Sequence, residues 1–263
     1  MTNTNLKLIE TFYDEAKTKV NERYYVDKNG LRQGICEYFD EKGQLRRRCT
    51  YKDGKLNGLY KSFYENGQLR RRCTFKNGAF DGLYERFYES GKLIEKCTYK
   101  DDELDGLYEW FYTNGQLKEK DTYKDGLIQG LYEEFYEDGK PRKRCTYKDG
   151  ELDCLYEWFD INGQLKERCT YKNYKLNGLH ELFYENGQPG ERCTYKNNKL
   201  DGLYESFYEN GQLKRRCTYK DGELDGLCEW FDINGQLKER CTYKNWKLGW
   251  SGNNPNLNTN YFS

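Results

Sequence analysis

The chain has 263 residues, with 44 lysines and arginines balanced by 44 aspartates and glutamates. A chain without net charge has no global field that steers it to nucleic acid or to an anionic membrane, and no nucleic-acid partner is expected. Aromatic residues make up 17% of the chain, with 26 Tyr, whereas Met and His each occur once. This bias lies far from the average globular mix and indicates a repeated motif.

The first residues, MTNTNLKLIETFYDEAK, carry several acidic side chains and no apolar run of signal-peptide length. Leu6, Ile9, Tyr13, Ala16 and Val20 recur at helical spacing. We therefore expect residues 1–24 to form an N-terminal cap, with a short amphipathic helix within residues 5–20. Nothing elsewhere approaches a membrane-spanning stretch, so the expected location is the cytoplasm, or the host cytoplasm for a viral protein.

A repeat of 24 residues dominates the remaining chain. Gly43 recurs at this interval up to Gly235, and Phe39 recurs up to Phe231, with no insertion in either series. Residues 25–248 thus hold one degenerate half repeat and about nine units. The final residues, 249–263, read GWSGNNPNLNTNYFS and are expected to form a polar tail with little order.

Each unit predicts two β-strands. Written from Leu200 to Gly222, the unit is LDGLYESFYENGQLKRRCTYKDG, with strand-like runs LYESFYE and LKRRCTYK between turn signals. The first turn, Glu-Asn-Gly-Gln, is the strongest short-range hairpin signal, and the second, KDGELDG, is looser. The predicted fold is all-β: an elongated single-layer antiparallel β-meander of tandem 24-residue hairpins. At roughly 4.8 Å per strand, nine repeats would span on the order of 90 Å.

The register of these hairpins depends on the turn, and two alternatives remain open. A two-residue Asn-Gly turn pairs Tyr60 with Cys73 and sets a series of glutamates opposite basic residues. A three-residue turn with a glycine bulge pairs Phe63 with Leu69 and Leu59 with Cys73. We favour the second, because it collects the Phe, Leu, Cys and Tyr series on one face.

Segments such as TYKDGELDGLCEWFDINGQL and TYKNNKLDGLYESFYENGQL resemble MORN repeats. The matching signature is Tyr-x-Asn/Asp-Gly, a spacer, Gly, an aromatic strand and a second Asn-Gly, and it covers about residues 25–248. The form is similar to the variant found in bacterial antitoxin-like or immunity-like proteins and in large DNA viruses. Its even spacing looks most like giant-virus members.

This resemblance implies an antiparallel β-ribbon that makes protein contacts. Membrane-lipid contact has been proposed for some eukaryotic members of the family. The hairpins of this chain depart from the eukaryotic pattern because they are longer and rich in Tyr and Cys, which disfavours the lipid role.

Eight of the eleven cysteines share one position in the repeat. Same-position residues in neighbouring repeats lie roughly 10 Å apart, whereas a disulfide needs Cα atoms within about 7 Å. The chain has no Cys-x-x-Cys pair of the kind that usually holds zinc, so we expect no metal site and interpret these cysteines as small apolar strand residues in a reducing compartment. The series is Cys49, Cys73, Cys97, Cys145, Cys169, Cys193, Cys217 and Cys241, with Asp121 in the place of a ninth.

Three cysteines lie outside this series. Cys36 and Cys228 replace a repeated Tyr, and Cys154 replaces a repeated Gly. In the two-residue-turn register, Cys36 lies opposite Cys49 and Cys228 opposite Cys241. Those two pairs are candidates for oxidation, and their disulfides would support that register.

No catalytic group stands out. His180 occupies a position that holds Tyr in most repeats, with no distinct nucleophile or orienting acid beside it, so we interpret it as a substituted strand residue. No glycine-rich phosphate loop precedes a helix. We therefore expect a protein without enzymatic activity or a cofactor.

The leading functional hypothesis is a protein-interaction scaffold or spacer, because Arg and Tyr are enriched at protein interfaces. One alternative is an antitoxin or immunity protein that masks a cognate toxin; another is peripheral binding to anionic lipid, although the glutamates would neutralise the basic residues. Unpaired sheet edges also allow a homodimer. The candidate interaction surface comprises Arg48, Arg72, Arg144, Arg168, Arg216, Tyr60, Tyr84, Tyr108, Tyr132 and Tyr204.

Overall fold

A computed structural model describes residues 6–245 and 247–249 of the chain. The chain divides into two compact units, one of residues 1–141 and 147–150 and the other of residues 142–146 and 151–263. All regular elements in the described residues are β-strands. The tail proposed for residues 249–263 lies outside the described residues, apart from Gly249 at the end of the last strand.

The strands follow one another in chain order. Each described hydrogen-bonded pair is antiparallel and joins strands that are consecutive in the chain or separated by one two-residue strand, which confirms the meander of tandem hairpins. In the first unit the strands are β1 (Lys7–Phe12), β2 (Val20–Val26), β3 (Arg32–Phe39), β4 (Leu45–Lys52), β5 (Lys55–Leu56), β6 (Gly58–Phe63), β7 (Leu69–Lys76), β8 (Ala79–Phe87), β9 (Leu93–Lys100), β10 (Glu103–Phe111), β11 (Leu117–Lys124), β12 (Leu127–Ile128) and β13 (Gly130–Phe135).

Strand β14 (Pro141–Lys148) contributes residues to both units. The strands of the second unit are β15 (Glu151–Phe159), β16 (Leu165–Lys172), β17 (Lys175–Phe183), β18 (Pro189–Lys196), β19 (Lys199–Phe207), β20 (Leu213–Lys220), β21 (Glu223–Phe231), β22 (Leu237–Lys244) and β23 (Lys247–Gly249).

The N-terminal helix expected within residues 5–20 is wrong. Strand β1 pairs with β2 over its whole length, and the turn between them is held by Asp14, which accepts hydrogen bonds from the backbone of Thr18 and Lys19. The Tyr13 hydroxyl donates to the Phe39 carbonyl oxygen at 2.8 Å. Half of the six residues of β1, Ile9, Thr11 and Phe12, are β-branched or aromatic and favour a strand, and the edge of β2 offers this strand backbone hydrogen bonds.

The first turn of each repeat is the three-residue turn that we favoured. In the hairpin of β6 and β7, the Tyr64 amide donates to Gln68 O at 2.8 Å and the Gly67 amide to Tyr64 O at 3.0 Å. Gly67 has a φ of 83°, which glycine adopts without steric cost. Phe63 therefore lies opposite Leu69, as that alternative requires.

The other half of the favoured register is wrong. A second bulge between Ser62 and Phe63 shifts the pairing, so that Tyr60, not Leu59, lies opposite Cys73. The rest of the hairpin thus has the register of the two-residue alternative, and the same shift recurs in the other first-turn hairpins whose pairing is described.

The two-residue turn occurs instead within the segment that the sequence analysis treated as looser. Between β7 and β8, Lys76 lies opposite Ala79, and the two intervening residues, Asn77 and Gly78, have φ values of 53° and 96°. Positive φ at both central residues is typical of a type I′ hairpin turn. A bulge follows at Gly82, where the Thr74 hydroxyl donates to Asp81 O at 2.5 Å.

Consecutive repeats are joined by hydrogen bonds between their turns. The Tyr64 hydroxyl donates to Phe87 O at 2.7 Å, and Asn66 Nδ2 donates to Glu89 O at 3.0 Å, each spanning 23 residues. An insertion in either repeat would break such contacts, which accounts for the constant spacing. The tyrosine bond recurs from Tyr88 to Phe111, Tyr112 to Phe135, Tyr184 to Phe207 and Tyr208 to Phe231.

The register divides the side chains of each repeat between two faces. Tyr60 and Cys73 lie on one face, which we call the cysteine face, and their strand neighbours Leu59 and Thr74 lie on the other, the leucine face. Lys61 and Arg72 are also opposite each other, and by strand alternation they lie on the leucine face.

Cys154 occupies the bulge position that holds glycine in other repeats, and its φ is 75°. A left-handed conformation costs an L-residue roughly 1–2 kcal/mol. We expect Cys154→Gly to raise the free energy of unfolding by about 1 kcal/mol, after the greater entropy of glycine in the unfolded chain is subtracted. Urea unfolding measures this change. Gly202→Cys is the matched control and should destabilise the protein; equal stability of Cys154→Gly and wild type would contradict the assignment of strain.

Candidate interaction surface

The cysteine face forms the core. Cys73, Cys145, Cys169 and Cys217 are fully buried, each at 0% exposure. In the first unit, Cys73 clusters with Cys36, Cys49 and Tyr60, covered by surrounding aromatic rings. Cys73, Cys145 and Cys169 are thus the small apolar strand residues expected from the sequence, whereas Cys217 forms a disulfide with Cys228.

The tyrosines of the candidate surface lie on this face. Each of them stacks edge-on against the aromatic ring that follows fifteen residues later, with ring centroids 5.7–6.1 Å apart. This geometry is favourable for aromatic pairs and removes ring area from solvent. The pairs are Tyr60–Phe75, Tyr84–Tyr99, Tyr108–Tyr123, Tyr132–Tyr147 and Tyr204–Tyr219.

The arginines occupy the other face as part of a charge ladder. In the second unit, eight residues on strands β15 to β22 lie opposite one another in turn and alternate in sign. Glu181 shows the pattern, since its carboxylate lies 2.9 Å from Arg192 Nε and 3.7 Å from Arg168 Nη1. The full order is Glu157, Arg168, Glu181, Arg192, Glu205, Arg216, Glu229 and Arg240.

The structure therefore does not bring the predicted arginines and tyrosines together. Arg168 and Arg216 lie on the leucine face with Glu partners at 3.1 and 3.0 Å. Arg48 likewise pairs with a carboxylate, at 2.5 Å from Glu37, and Arg72 pairs with Glu85. The Arg144 guanidinium lies 5.5 Å from the ring centroid of Phe159.

One position in the first unit breaks the alternation. Lys61 replaces the repeated Glu and lies opposite Arg48 on one side and Arg72 on the other. Three cations therefore follow one another across β4, β6 and β7. The two arginines also have carboxylate partners, Glu37 for Arg48 and Glu85 for Arg72.

On the leucine face of each unit, aliphatic residues lie beside the charged pairs, and we call these residues together the aliphatic row. These residues are 37–51% exposed, although they are apolar and lie within strands. Each one with a described partner lies opposite a repeated threonine, as Leu203 does with Thr218. The sequence analysis missed this row as a surface feature because its favoured register placed leucine beside cysteine. It comprises Ile35, Leu59, Leu107, Leu131, Leu179, Leu203 and Leu227.

Asp121 is the exception in the cysteine series. Its residue is 1% exposed, and both carboxylate oxygens lack a hydrogen-bond partner. Burial, together with the nearby charge of Glu119, raises the pKa of Asp121 to about 7. At neutral pH this carboxyl is therefore close to half protonated.

The cysteines differ in acidity. Burial raises the pKa of Cys73 to about 11 and of Cys97 to about 12, so these groups remain thiols at neutral pH. The pKa of Cys36 is lowered, chiefly because Cys49 donates a hydrogen bond to its sulfur. Cys36 and Cys49 lie opposite each other as free thiols.

A disulfide joins Cys217 and Cys228, with Cα atoms 4.1 Å apart. Cys228 also lies opposite Cys241, which is the pair named in the sequence analysis. The sequence analysis considered only the partner within the hairpin, whereas Cys228 has a cysteine on both neighbouring strands.

His180 also interrupts the cysteine face, at a position where most repeats have tyrosine. Its Nε2 atom lies 3.0 Å from Glu167 Oε1 and its Nδ1 atom 3.8 Å from Cys193 Sγ. These two neighbours, Cys193 first, raise the pKa of His180 to about 9. The interpretation of His180 as an isolated substituted residue missed both contacts.

The hairpins, the hydrogen bonds between their turns and the buried cysteine face define a tandem β-hairpin repeat protein. Nine segments of the chain match the model of the MORN repeat variant, at residues 32–53, 56–77, 80–101, 104–125, 128–149, 153–173, 176–197, 200–221 and 224–245. The chain belongs to this MORN repeat family. MORN repeats are commonly non-catalytic modules.

Comparison with solved structures finds crystal structures of TcdB2-TccC3-TEV and TcdB2-TccC3-Cdc42. They share 10% and 11% identity with this chain, at TM-scores of 0.17 and 0.15. The matches cover 92% and 90% of this chain but only 14% and 17% of those chains. No curated protein matches the chain significantly. Within the described residues, no helix has the length and hydrophobicity needed to cross a membrane.

Replacement of Asp121 tests the burial of its carboxyl. Because the folded-state pKa of about 7 lies above the ordinary 3.8, the folded state holds the proton more tightly and loses stability as pH rises from about 4 to 7. A shift of this size corresponds to about 4 kcal/mol above pH 7. We expect Asp121→Cys to be more stable than wild type by several kcal/mol at pH 8 and by much less at pH 4.

Urea unfolding over this pH range measures the difference. Asp121→Asn removes the same titration but keeps a buried polar group, so it should flatten the pH dependence with a smaller gain in stability. Parallel curves for wild type and Asp121→Cys would show that the carboxyl is not buried.

The position of Cys228 between two cysteines predicts a disulfide that can change partner. In Cys217→Ser, we expect mild oxidation to link Cys228 to Cys241, because the two lie opposite each other on adjacent strands. Non-reducing peptide mapping identifies the bond. Cys97, which lies opposite tyrosines on both neighbouring strands, should remain a thiol as an internal control. A free Cys228 in the oxidised variant would contradict this register.

Proposed function

We propose that this protein is a non-catalytic protein-interaction scaffold whose partner binds the leucine face. The observation that carries the proposal is the exposed aliphatic row beside the charge ladder. Exposed apolar side chains that repeat along one face are typical of an interaction site. The cysteine face offers a partner less apolar surface, because its cysteines and tyrosines already pack against one another.

The ladder supports specificity as well as contact. Its alternating charges neutralise one another over strands β15 to β22, so a partner would be selected by matched local charges and not by a general attraction to anions. Repetition of the same surface suits a scaffold that holds several copies of one segment or one extended segment. Nine free cysteines support a location in the cytoplasm, whereas the Cys217–Cys228 disulfide does not.

The alternative hypothesis, an antitoxin or immunity protein, involves the same face but a different kind of partner. It requires a single cognate protein bound with one-to-one stoichiometry, whereas a scaffold binds in a ratio that follows the number of repeats. The mass of the isolated complex separates the two.

Substitution of the aliphatic row tests the proposal. We expect the double variant Leu203→Asp and Leu227→Asp to lose at least tenfold in partner binding, since each buried leucine contributes about 1.5–3 kcal/mol. Binding is measured by quantitative cross-linking and capture from the native cell, with the partner identified first on wild type. The matched control is the double variant Ile161→Asp and Ile233→Asp, which places the same charge in exposed turns off the row. Equal loss in both variants, or none in either, would reject the leucine face.

A second candidate, contact with an anionic lipid surface, is favoured by one observation, the run of Arg48, Lys61 and Arg72. Lys61→Glu restores the alternation found in the other repeats, so it should leave the fold intact. If the patch binds lipid, wild type will sediment with phosphatidylserine vesicles at low salt and Lys61→Glu will not. Binding that is absent in wild type, or unchanged in the variant, would exclude this role.

A further inference from the structure

Three potential metal ligands from two adjacent strands meet on the cysteine face of the second unit. Cys169 on β16 lies directly opposite His180 on β17, and Glu167 precedes Cys169 by two residues on the same face. One ligand atom from each of these residues lies within 4.8 Å of the other two. They are the one such group of His, Cys, Asp and Glu in the part of the chain that the structure describes.

The His180 ring is held in a defined orientation. Its Nε2 atom faces Glu167 at 3.0 Å, whereas Nδ1 faces Cys193 Sγ at 3.8 Å on the opposite side, and Tyr195 packs edge-on against the ring. In metal sites a ligating imidazole commonly uses its second nitrogen for such an outer contact, which fixes the ring. Cys193 therefore lies beside the site without being one of its ligands.

We propose that Glu167, Cys169 and His180 bind a single transition-metal ion of the Zn²⁺ class. A thiolate, an imidazole and a carboxylate form the donor set that this ion prefers. Ligand bonds of about 2.0–2.3 Å in a tetrahedron place the donor atoms roughly 3.3–3.8 Å apart, so donor atoms within 4.8 Å of one another need to close by at most about 1.5 Å. The distance from His180 Nε2 to Glu167 Oε1, 3.0 Å, lies slightly below that range. The Glu167 side chain is 32% exposed, which lets solvent reach a fourth position.

The neighbouring repeat shows why the site is specific to this location. There Tyr204 takes the position of His180, and its hydroxyl donates to Glu191 Oε1 at 3.1 Å. The same contact across the strands thus exists with tyrosine, but a tyrosine hydroxyl in this place is a weaker metal ligand than imidazole. His180→Tyr converts the site to the form of its neighbour and is expected to fold normally, which makes it a matched control.

The test is a Co²⁺ titration of the full-length chain in the presence of a phosphine reductant, followed by visible and near-ultraviolet absorption. We expect wild type to bind one equivalent with the intense d–d bands of tetrahedral coordination and a sulfur-to-cobalt charge-transfer band, and Zn²⁺ to displace the Co²⁺. His180→Tyr and Cys169→Ser should weaken binding at least a hundredfold. Cys193→Ser should keep the charge-transfer band and weaken binding by about 10–100-fold.

His180→Tyr decides the question because it retains all eleven cysteines of the chain. If this variant binds Co²⁺ with the affinity and spectrum of wild type, the ion sits at other cysteines and the proposal is overturned. Absence of tetrahedral bands in wild type overturns it too. Far-ultraviolet circular dichroism checks that each variant folds. If Cys169→Ser does not fold, the result for His180→Tyr is sufficient to test the proposal.

Discussion

Repeated cysteines such as Cys73 and Cys97 lie between aromatic side chains on the two neighbouring strands, and the sheet depends on this alternation of small and large groups. Cys73 is opposite Tyr60 on one side and Tyr84 on the other. A thiol is small and apolar, so it leaves room for both rings to lean over it and exclude water. This arrangement builds a core from a single face of a sheet, with no helix among the described residues to cover it.

The same register decides what the other face offers. Since every second side chain turns away from the cysteine face, the leucines and the arginines of the charge ladder are exposed to solvent. The glutamates between these arginines are covered, and Glu181, Glu205 and Glu229 are buried. Alternation of sign satisfies each carboxylate with arginine neighbours, such as Glu181 between Arg168 and Arg192, and removes the basic stripe that the arginine series alone would suggest. The exposed surface of the leucine face is therefore the aliphatic row, flanked by charged residues that alternate in sign.

Much of the architecture was predictable from sequence, because a strict period and repeated turn residues indicate where the strands begin and end. The register was only half predictable. Asn-Gly fits both a two-residue and a three-residue turn, and the sequence around it did not separate the two. The structure has the three-residue turn whether Tyr64 or Asp160 precedes it. A slip of one residue exchanges faces, which is why the sequence analysis grouped arginines with tyrosines that lie on the opposite side.

The remaining errors have a similar cause. The apolar spacing near the N-terminus fits a helix, but an open strand edge nearby made pairing of β1 with β2 the better solution. Glu167, Cys169 and His180 have no recognisable ligand spacing, since their proximity arises only once β16 and β17 are aligned. Such cross-strand groups become visible when the register is known and not before.

The uniform bonds between turns have a consequence for how such a chain can change in evolution. Within each unit, the tyrosine of one repeat and the phenylalanine carbonyl of the next make the same junction wherever it is described. Recombination between two repeats in phase regenerates a normal junction, whereas an exchange out of phase severs it. A gene of this kind can therefore gain or lose whole repeats and still encode repeats that fit their neighbours. Variation in the number of repeats is the change that its protein tolerates most readily.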